Sequence, residues 1–164
     1  MAEHQVRSRL IGILRSAYSG ELAAGLAYRG HWRSLRDPAE RAAVAQIERD
    51  EWTHRAAVAA LLRGIGAKPQ TPREVLMSIV GTSVAVSCHL GNRVLPMYFA
   101  GRLEHANIAE YEDAAACARE LRLPDHERAL LEMADGERSH EAFFRAAVAA
   151  HPWLPLLRRL FHWG

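Results

Sequence analysis

Cysteine is scarce in this chain, and its scarcity sets the first limits on function. Cys88 and Cys117 are the only two among 164 residues. They supply neither a disulfide framework nor a four-cysteine metal site, so a reducing, cytoplasmic compartment is expected. Neither sign of charge dominates: 21 Lys and Arg stand against 19 Asp and Glu, for a net charge of +2. No Arg or Lys cluster is interleaved with aromatics, so nucleic acid is not an expected partner. Nothing reads as a β-strand. The opening MAEHQVRSRL lacks the apolar core of a secretory leader. The uncharged run VLMSIVGTSVAVSCHLGN, residues 75–92, contains Ser, Thr, His, Asn and two Gly. It is expected as a buried or membrane-touching helix, not a membrane span.

What is abundant is Ala, Leu and Arg, within an apolar content of 49%. That mixture favours helix, and the length suits one domain with a single core. Asp37-Pro38-Ala39-Glu40 places an N-cap acceptor, Pro at the first helical position and Glu two residues later. Thr71-Pro72-Arg73-Glu74 repeats the signal, and Leu123-Pro124-Asp125 starts a third helix with acid in its first turn. Gly64, Gly66 and Pro69 mark a stop. These marks predict helices over about 5–35, 38–63, 96–120 and 124–150, with an apolar helix from 72 inserted before the third long one. Gly91 and Pro96 are expected to break or kink the chain between that insert and the third long helix. The fold class is therefore all-α: an antiparallel four-helix bundle over residues 1–151, with an extra apolar helix and a short tail over 152–164.

The chemistry lies in an internal repeat. Glu21-x6-Tyr28 on the first long helix is followed by Glu51-x2-His54 on the second; Glu104-x6-Tyr111 on the third is followed by Glu137-x2-His140 on the fourth. Residues three apart share a helix face, and seven residues make nearly two turns, so each Tyr lies on the stripe of its Glu. Glu21 stands sixteen residues before Asp37 and Glu51 fourteen after it. At 1.5 Å per residue the two reach nearly the same height in an antiparallel pair. All six groups are thus expected in one layer of the bundle.

Electrostatics selects the occupant of that layer. Four carboxylates in a dry core repel one another and take up protons if left alone, whereas two divalent cations neutralise them. One Glu from each of two helices with Glu-x-x-His from each of the other two is the ligand set of di-iron carboxylate bundles. Imidazole and carboxylate donors suit iron, or manganese, better than calcium or magnesium. The expected metal ligands are Glu21, Glu51, His54, Glu104, Glu137 and His140, and no separate acid or base is needed beside them. Tyr28 and Tyr111 are expected near the ligands, and Asp50 and Asp135 are placed to orient a ligating imidazole through its second nitrogen. His31, His89, His105 and His126 are read as core or surface histidines, and Cys88 and Cys117 as small core fillers.

The order GE-x2-A-x3-Y, E-x2-H, E-x6-Y, E-x2-H, with an apolar helix inserted midway, resembles the ferritin-like di-iron carboxylate superfamily over about residues 15–145. Within it, the insert with Gly91 before the third long helix is most similar to the demethoxyubiquinone hydroxylase family. That resemblance implies two irons on the six residues above, O2 as co-substrate and a separate electron donor. It also implies hydroxylation of a quinone-type ring and peripheral attachment to the inner face of the membrane. The chain has Tyr18-Ser19-Gly20 where that family usually has His-Ala-Gly, and His105 where it often has a second Glu. A rubrerythrin-like or ferritin-like protein that oxidises ferrous iron or reduces peroxide is the alternative. A helical scaffold without metal is a third reading, against which the complete six-residue set argues. In the tail, Trp153, Leu156, Leu157, Leu160 and Phe161 can share one helical side, with Arg158 and Arg159 elsewhere. This is the pattern of an interfacial membrane anchor, unless the tail caps the bundle or joins two copies as a homodimer.

Overall fold

The computed structural model describes residues 2–164. Six helices follow one another: α1 (Ala2–Ser34), α2 (Pro38–Gly64), α3 (Thr71–Ser87), α4 (Val94–Glu120), α5 (Pro124–Val148) and α6 (Leu154–Phe161). Among the described residues there is no strand. Asp37 caps α2 as predicted, its Oδ1 accepting the Glu40 N–H at 2.9 Å. Thr71 does not cap α3: it is already helical, and Glu74 is drawn instead to the Arg55 guanidinium. The break before α4 covers residues 88–93. Asn92 Oδ1 there accepts from the N–H groups of Val94 and Leu95, at 3.1 and 3.3 Å. Pro96 falls inside the first turn of α4, where a missing N–H leaves no bond unmade, so it neither breaks nor kinks the chain.

The side-chain pairs give the topology. Arg29 meets Glu48 across α1 and α2, and Arg119 meets Glu127 across α4 and α5, so each is an antiparallel hairpin. Tyr28 pairs with Glu104 and Tyr111 with Glu21, which also sets α1 antiparallel to α4. Two antiparallel hairpins arranged in this way put α2 parallel to α4. The chain must therefore return from one end of the bundle to the other between them, and α3 makes that return along α1. The two approach through small residues: a Cβ on Gly81 would stand 2.5 Å from the Ala23 carbonyl oxygen, and one on Gly30 would stand 2.5 Å from Ala85 Cα. Much of α3 remains uncovered, with Val75, Leu76, Ile79, Val84 and Val86 exposed. No helix among the described residues is long and apolar enough to cross a membrane.

The core has two apolar parts. One contains Leu10, Leu14, Val58, Leu62 and Leu130; the other contains Val44, Ile47, Met97, Phe144 and Val148. Burying each Leu or Phe contributes about 1.5–3 kcal/mol, and these clusters fix the helices on either side of a polar layer.

The tail departs from its expected form. Leu154, Leu157 and Trp163 are buried in the second cluster, so the anticipated single apolar side is divided between bundle and solvent. Trp153, Leu156 and Leu160 remain exposed. The Trp163 indole occupies a notch at Gly101, where a Cβ would come within 2.1 Å of it. Its Nε1 donates to Glu141 at 2.9 Å, and the Tyr98 hydroxyl donates to the Leu157 carbonyl at 3.0 Å. One hydrogen-bonded Trp therefore fastens the tail to α4 and α5.

Candidate metal centre

The polar layer between the two apolar clusters is built from the predicted repeat. Glu21, Glu51, Glu104, Glu137 and His140 are all buried, and His54 is half-buried. They fall into two overlapping groups. Glu21, Glu51, His54 and Glu137 offer donor atoms within 4.8 Å of one another, and so do Glu51, Glu104, Glu137 and His140. Glu51 and Glu137 belong to both, one from each Glu-x-x-His helix. Each half of the repeat thus adds one Glu and one His to a shared pair of carboxylates.

Several contacts hold these groups in place. Glu137 Oε1 lies 3.1 Å from His54 Nδ1, and its Oε2 lies 3.2 Å from His140 Nδ1. Tyr28 donates a short hydrogen bond to Glu104, and Tyr111 donates one to Glu21. Each tyrosine therefore serves the carboxylate of the opposite helix, although sequence places it on the stripe of its own. Asn107 donates to Glu104 Oε2 at 3.2 Å. That contact is legible only as an Asn one helical turn after a ligand. Asp50 lies 3.3 Å from His140 Nε2, as its orienting role predicts, but the imidazole belongs to α5 and not to its own helix. Asp135 is corrected. It points to solvent and pairs with Arg138 at 2.5 Å, with no contact to either imidazole, because it lies on the outer side of α5 while Ala134 and Glu137 of the same turn face inward. Gly136 lies against the His54 ring; a Cβ there would stand 3.2 Å from Nε2. His89 and His105 are exposed, and His126 reaches the Leu61 carbonyl at 3.0 Å.

The electrostatics asks for positive charge. Burial, joined by repulsion from Glu21, Glu104 and Glu137, pushes the Glu51 carboxyl well above the usual range. Burial and the charge of Glu137 do the same to Glu104. Glu21 is raised by burial too. Burial also acts upward on Glu137, but hydrogen bonds from His140 and His54 outweigh it and hold that carboxyl low. The hydroxyls of Tyr28 and Tyr111 are driven well above their ordinary range, by burial first and then by the adjacent carboxylates, and so remain donors. Both oxygens of Glu51 and Oε2 of Glu21 are buried without any hydrogen-bond partner. Unpartnered carboxylate oxygens in a dry layer are costly, and divalent cations are the species that satisfy them. The donor set and these orphaned atoms both fit two metal ions.

Two openings reach the layer. A cleft of about 860 Å³ between α1, α3 and α4 touches Glu21, Tyr28 and Tyr111, and its walls include Ala24, Val80, Val84 and Phe99. A smaller cavity of about 330 Å³ opens between α2 and α5 at Asp50, Thr53, His54 and His140. The smaller cavity is lined mainly by polar residues, and the cleft by many apolar ones.

His31, at 2% exposure, also borders the cleft. Burial pushes its imidazole down from the ordinary value of 6.5 to about 4, with Glu40 and Arg93 acting on it in opposite directions. A lowered base pKa means stability that is complete above pH 6.5 and lost as pH falls through about 4. The expected loss by pH 4 is roughly 3 kcal/mol. His31→Phe should remove that component, so the difference in unfolding free energy between variant and wild type should shift by that amount across the window. Parallel pH profiles from denaturant melts would contradict it.

Comparison with known proteins follows the same lines. No curated protein matches the chain, and no solved structure does. The model of the family described as Rubrerythrin matches residues 12–148. That span contains all six residues of the layer, both tyrosines that steady them and the whole crossover through α3. The resemblance to the di-iron superfamily is thereby upheld at the level of the superfamily, and the chain belongs to the rubrerythrin family.

Proposed function

We propose that Glu21, Glu51, His54, Glu104, Glu137 and His140 hold two iron ions. We further propose that the protein uses O2 to oxidise or hydroxylate an apolar substrate, a quinone-type ring of the sort acted on by demethoxyubiquinone hydroxylases. The observation that carries this reading is the apolar cleft of about 860 Å³ ending on Glu21, Tyr28 and Tyr111. A large apolar pocket is the usual form of a site for an apolar small molecule, and oxidation of ferrous iron or removal of peroxide does not require one.

Two irons, when bound, supply O2 binding and its reduction. The chain's own residues supply the setting. Tyr28 and Tyr111 keep their protons and steady Glu104 and Glu21. Asp50 fixes the ring of His140. The two apolar clusters close the layer on two sides and leave the cleft and the smaller cavity as its openings. Hydroxylation places one atom of O2 in the substrate and the other in water, consuming two electrons and two protons. Cys88 and Cys117 are both buried and free, so the electrons come from a separate donor. Manganese in place of iron is accepted by the same donors.

The polar opening at Asp50, Thr53 and His54 favours a second reading, in which a small polar oxidant such as peroxide enters from that side. One experiment separates the two. Reduced, iron-loaded protein is mixed with O2 and a panel of quinones, and in parallel with peroxide alone, and the products are followed by mass spectrometry. Incorporation of one oxygen atom into a quinone, lost in Glu104→Ala, is expected. Rapid consumption of peroxide with every quinone recovered unchanged would favour the second reading over the first.

A further inference from the structure

The outer side of the α1–α2 hairpin carries a basic and aromatic patch, with Glu48 at its centre. The Glu48 carboxylate accepts from Trp32 Nε1 at 2.7 Å, from Arg29 Nε at 2.9 Å and from Trp52 Nε1 at 3.3 Å, so one residue holds both indoles. The Arg29 guanidinium lies 5.6 Å from the centre of the Trp52 ring, and those of Arg33 and Arg41 lie 4.1 and 5.6 Å from that of Trp32. The Trp52 ring also sits in a notch at Gly25, where a Cβ would stand 2.8 Å from it. All three arginines are exposed, and both indoles are half-buried. Of the three, only Arg29 has a carboxylate partner among the described residues. Arg33 and Arg41 leave their charge unanswered.

Three features define what such a patch receives. Tryptophan and arginine, when rigidly held, are the side chains that dominate protein–protein interfaces. The unanswered charge is positive, so the complementary face is acidic. The third feature is position. Trp52 follows Glu51 in the chain and Glu48 stands one helical turn before it, while Trp32 lies one turn beyond Tyr28, which donates to Glu104. The patch is thus the outer face of the turns that hold the carboxylate layer. None of its six residues lines the cleft or the smaller cavity, so a protein seated there obstructs neither opening. We infer that this patch docks the electron donor, a small acidic protein carrying a one-electron iron–sulfur or flavin centre. The inference rests on the hydroxylation proposed above, which consumes two electrons; the carrier docks twice per turnover and is oxidised by one electron each time. A lipid surface is the poorer match, because the exposed large apolar side chains lie on α3, α4, α5 and the tail and none lies on this hairpin.

Two small acidic carriers serve as probes, a two-iron, two-sulfur ferredoxin and a flavodoxin. Each is titrated by calorimetry into iron-loaded, full-length protein at about 0.1 M salt, where exposed charges more than about 10 Å apart are screened. Wild type should bind at least one of them, less tightly as salt is added. Arg33→Glu with Arg41→Glu should weaken that binding at least about tenfold. Arg158→Glu with Arg159→Glu makes the same change of net charge on the tail and should leave the affinity within about twofold. Equal weakening by the two pairs would mean attraction to net charge alone and would overturn the site, as would a wild type that binds neither carrier. Vesicles of phosphatidylglycerol form a parallel arm: vesicle binding lost in Arg33→Glu, Arg41→Glu, with neither carrier bound, would overturn the inference in favour of a lipid surface. Oxygen incorporation into a quinone with dithionite as reductant, by a protein that ignores both carriers, would overturn the patch and leave the reaction standing. If charge reversal disturbs folding, Arg33→Gln with Arg41→Gln should weaken binding about threefold, and no weakening would overturn the site.

Discussion

Metal-free Glu51→Leu protein is expected to melt higher than metal-free wild type, and metal should invert the order. Glu51 is fully buried, and neither of its carboxylate oxygens has a hydrogen-bond partner, although Oε1 lies 3.4 Å from His140 Nδ1. Leu fills a similar volume without a polar group to satisfy. Removing an unsatisfied buried polar group returns about 1–3 kcal/mol, or roughly 5 °C in a chain of this size. Wild type gains about 4 kcal/mol when free metal stands a thousandfold above its dissociation constant. The variant gains little, because Glu51 belongs to both groups of donors. Differential scanning calorimetry with and without ferrous iron under argon shows the crossing. A Glu51→Leu protein less stable than wild type in both states would mean that the carboxylate supports the fold by itself. A wild type whose melt ignores the metal would mean that no metal organises the core.

Gly81→Ala is expected to destabilise the protein, against the usual gain for Ala in a helix. Replacing Gly inside a helix with Ala is ordinarily worth up to about 1 kcal/mol. Here the added Cβ would stand 2.5 Å from the Ala23 carbonyl oxygen and 2.8 Å from Ala23 Cα. Both are backbone atoms of α1 and have no rotamer by which to yield. Overpacking of this kind costs about 1–3 kcal/mol, and α3 must slide or lift away from α1. Since Val80 and Val84 form part of the cleft wall, ligand binding there should weaken as well. Gly12→Ala is the control: a Cβ at that position meets nothing within 4 Å, so it should stabilise slightly. A Gly81→Ala protein as stable as Gly12→Ala would show that α3 does not rest on α1 as described.

Much of this was readable from the sequence because it depends on single helices. The Asp37-Pro38 start, the Gly64 stop and the two Glu-x-x-His pairs are matters of spacing along one helix, where 3.6 residues per turn leave little freedom. The convergence of the six groups needed only a further count of heights around two turns. What escaped depends on which helix lies against which. Asp50 and Asp135 look alike in sequence. Only the antiparallel register of α2 and α5 brings Asp50 to His140 and turns Asp135 to solvent. The tyrosines share a stripe with their own glutamates, yet the packing of α1 on α4 gives each to the other's. The tail's periodicity is truly amphipathic, but Gly101, far away in sequence, supplies the notch that buries Trp163. His31 is a core histidine, one of the two places the sequence allowed it, but its unpaired nitrogen exists only in three dimensions.

Metal analysis tests the central claim most directly. Wild-type protein and a Glu51→Ala, Glu137→Ala double variant are loaded anaerobically with ferrous iron, freed of excess and measured for iron per folded chain. The arrangement predicts about two irons in wild type. It predicts close to none in the double variant, which lacks both residues common to the two groups of donors. Full occupancy in the double variant, or a wild type that retains no iron, would contradict it.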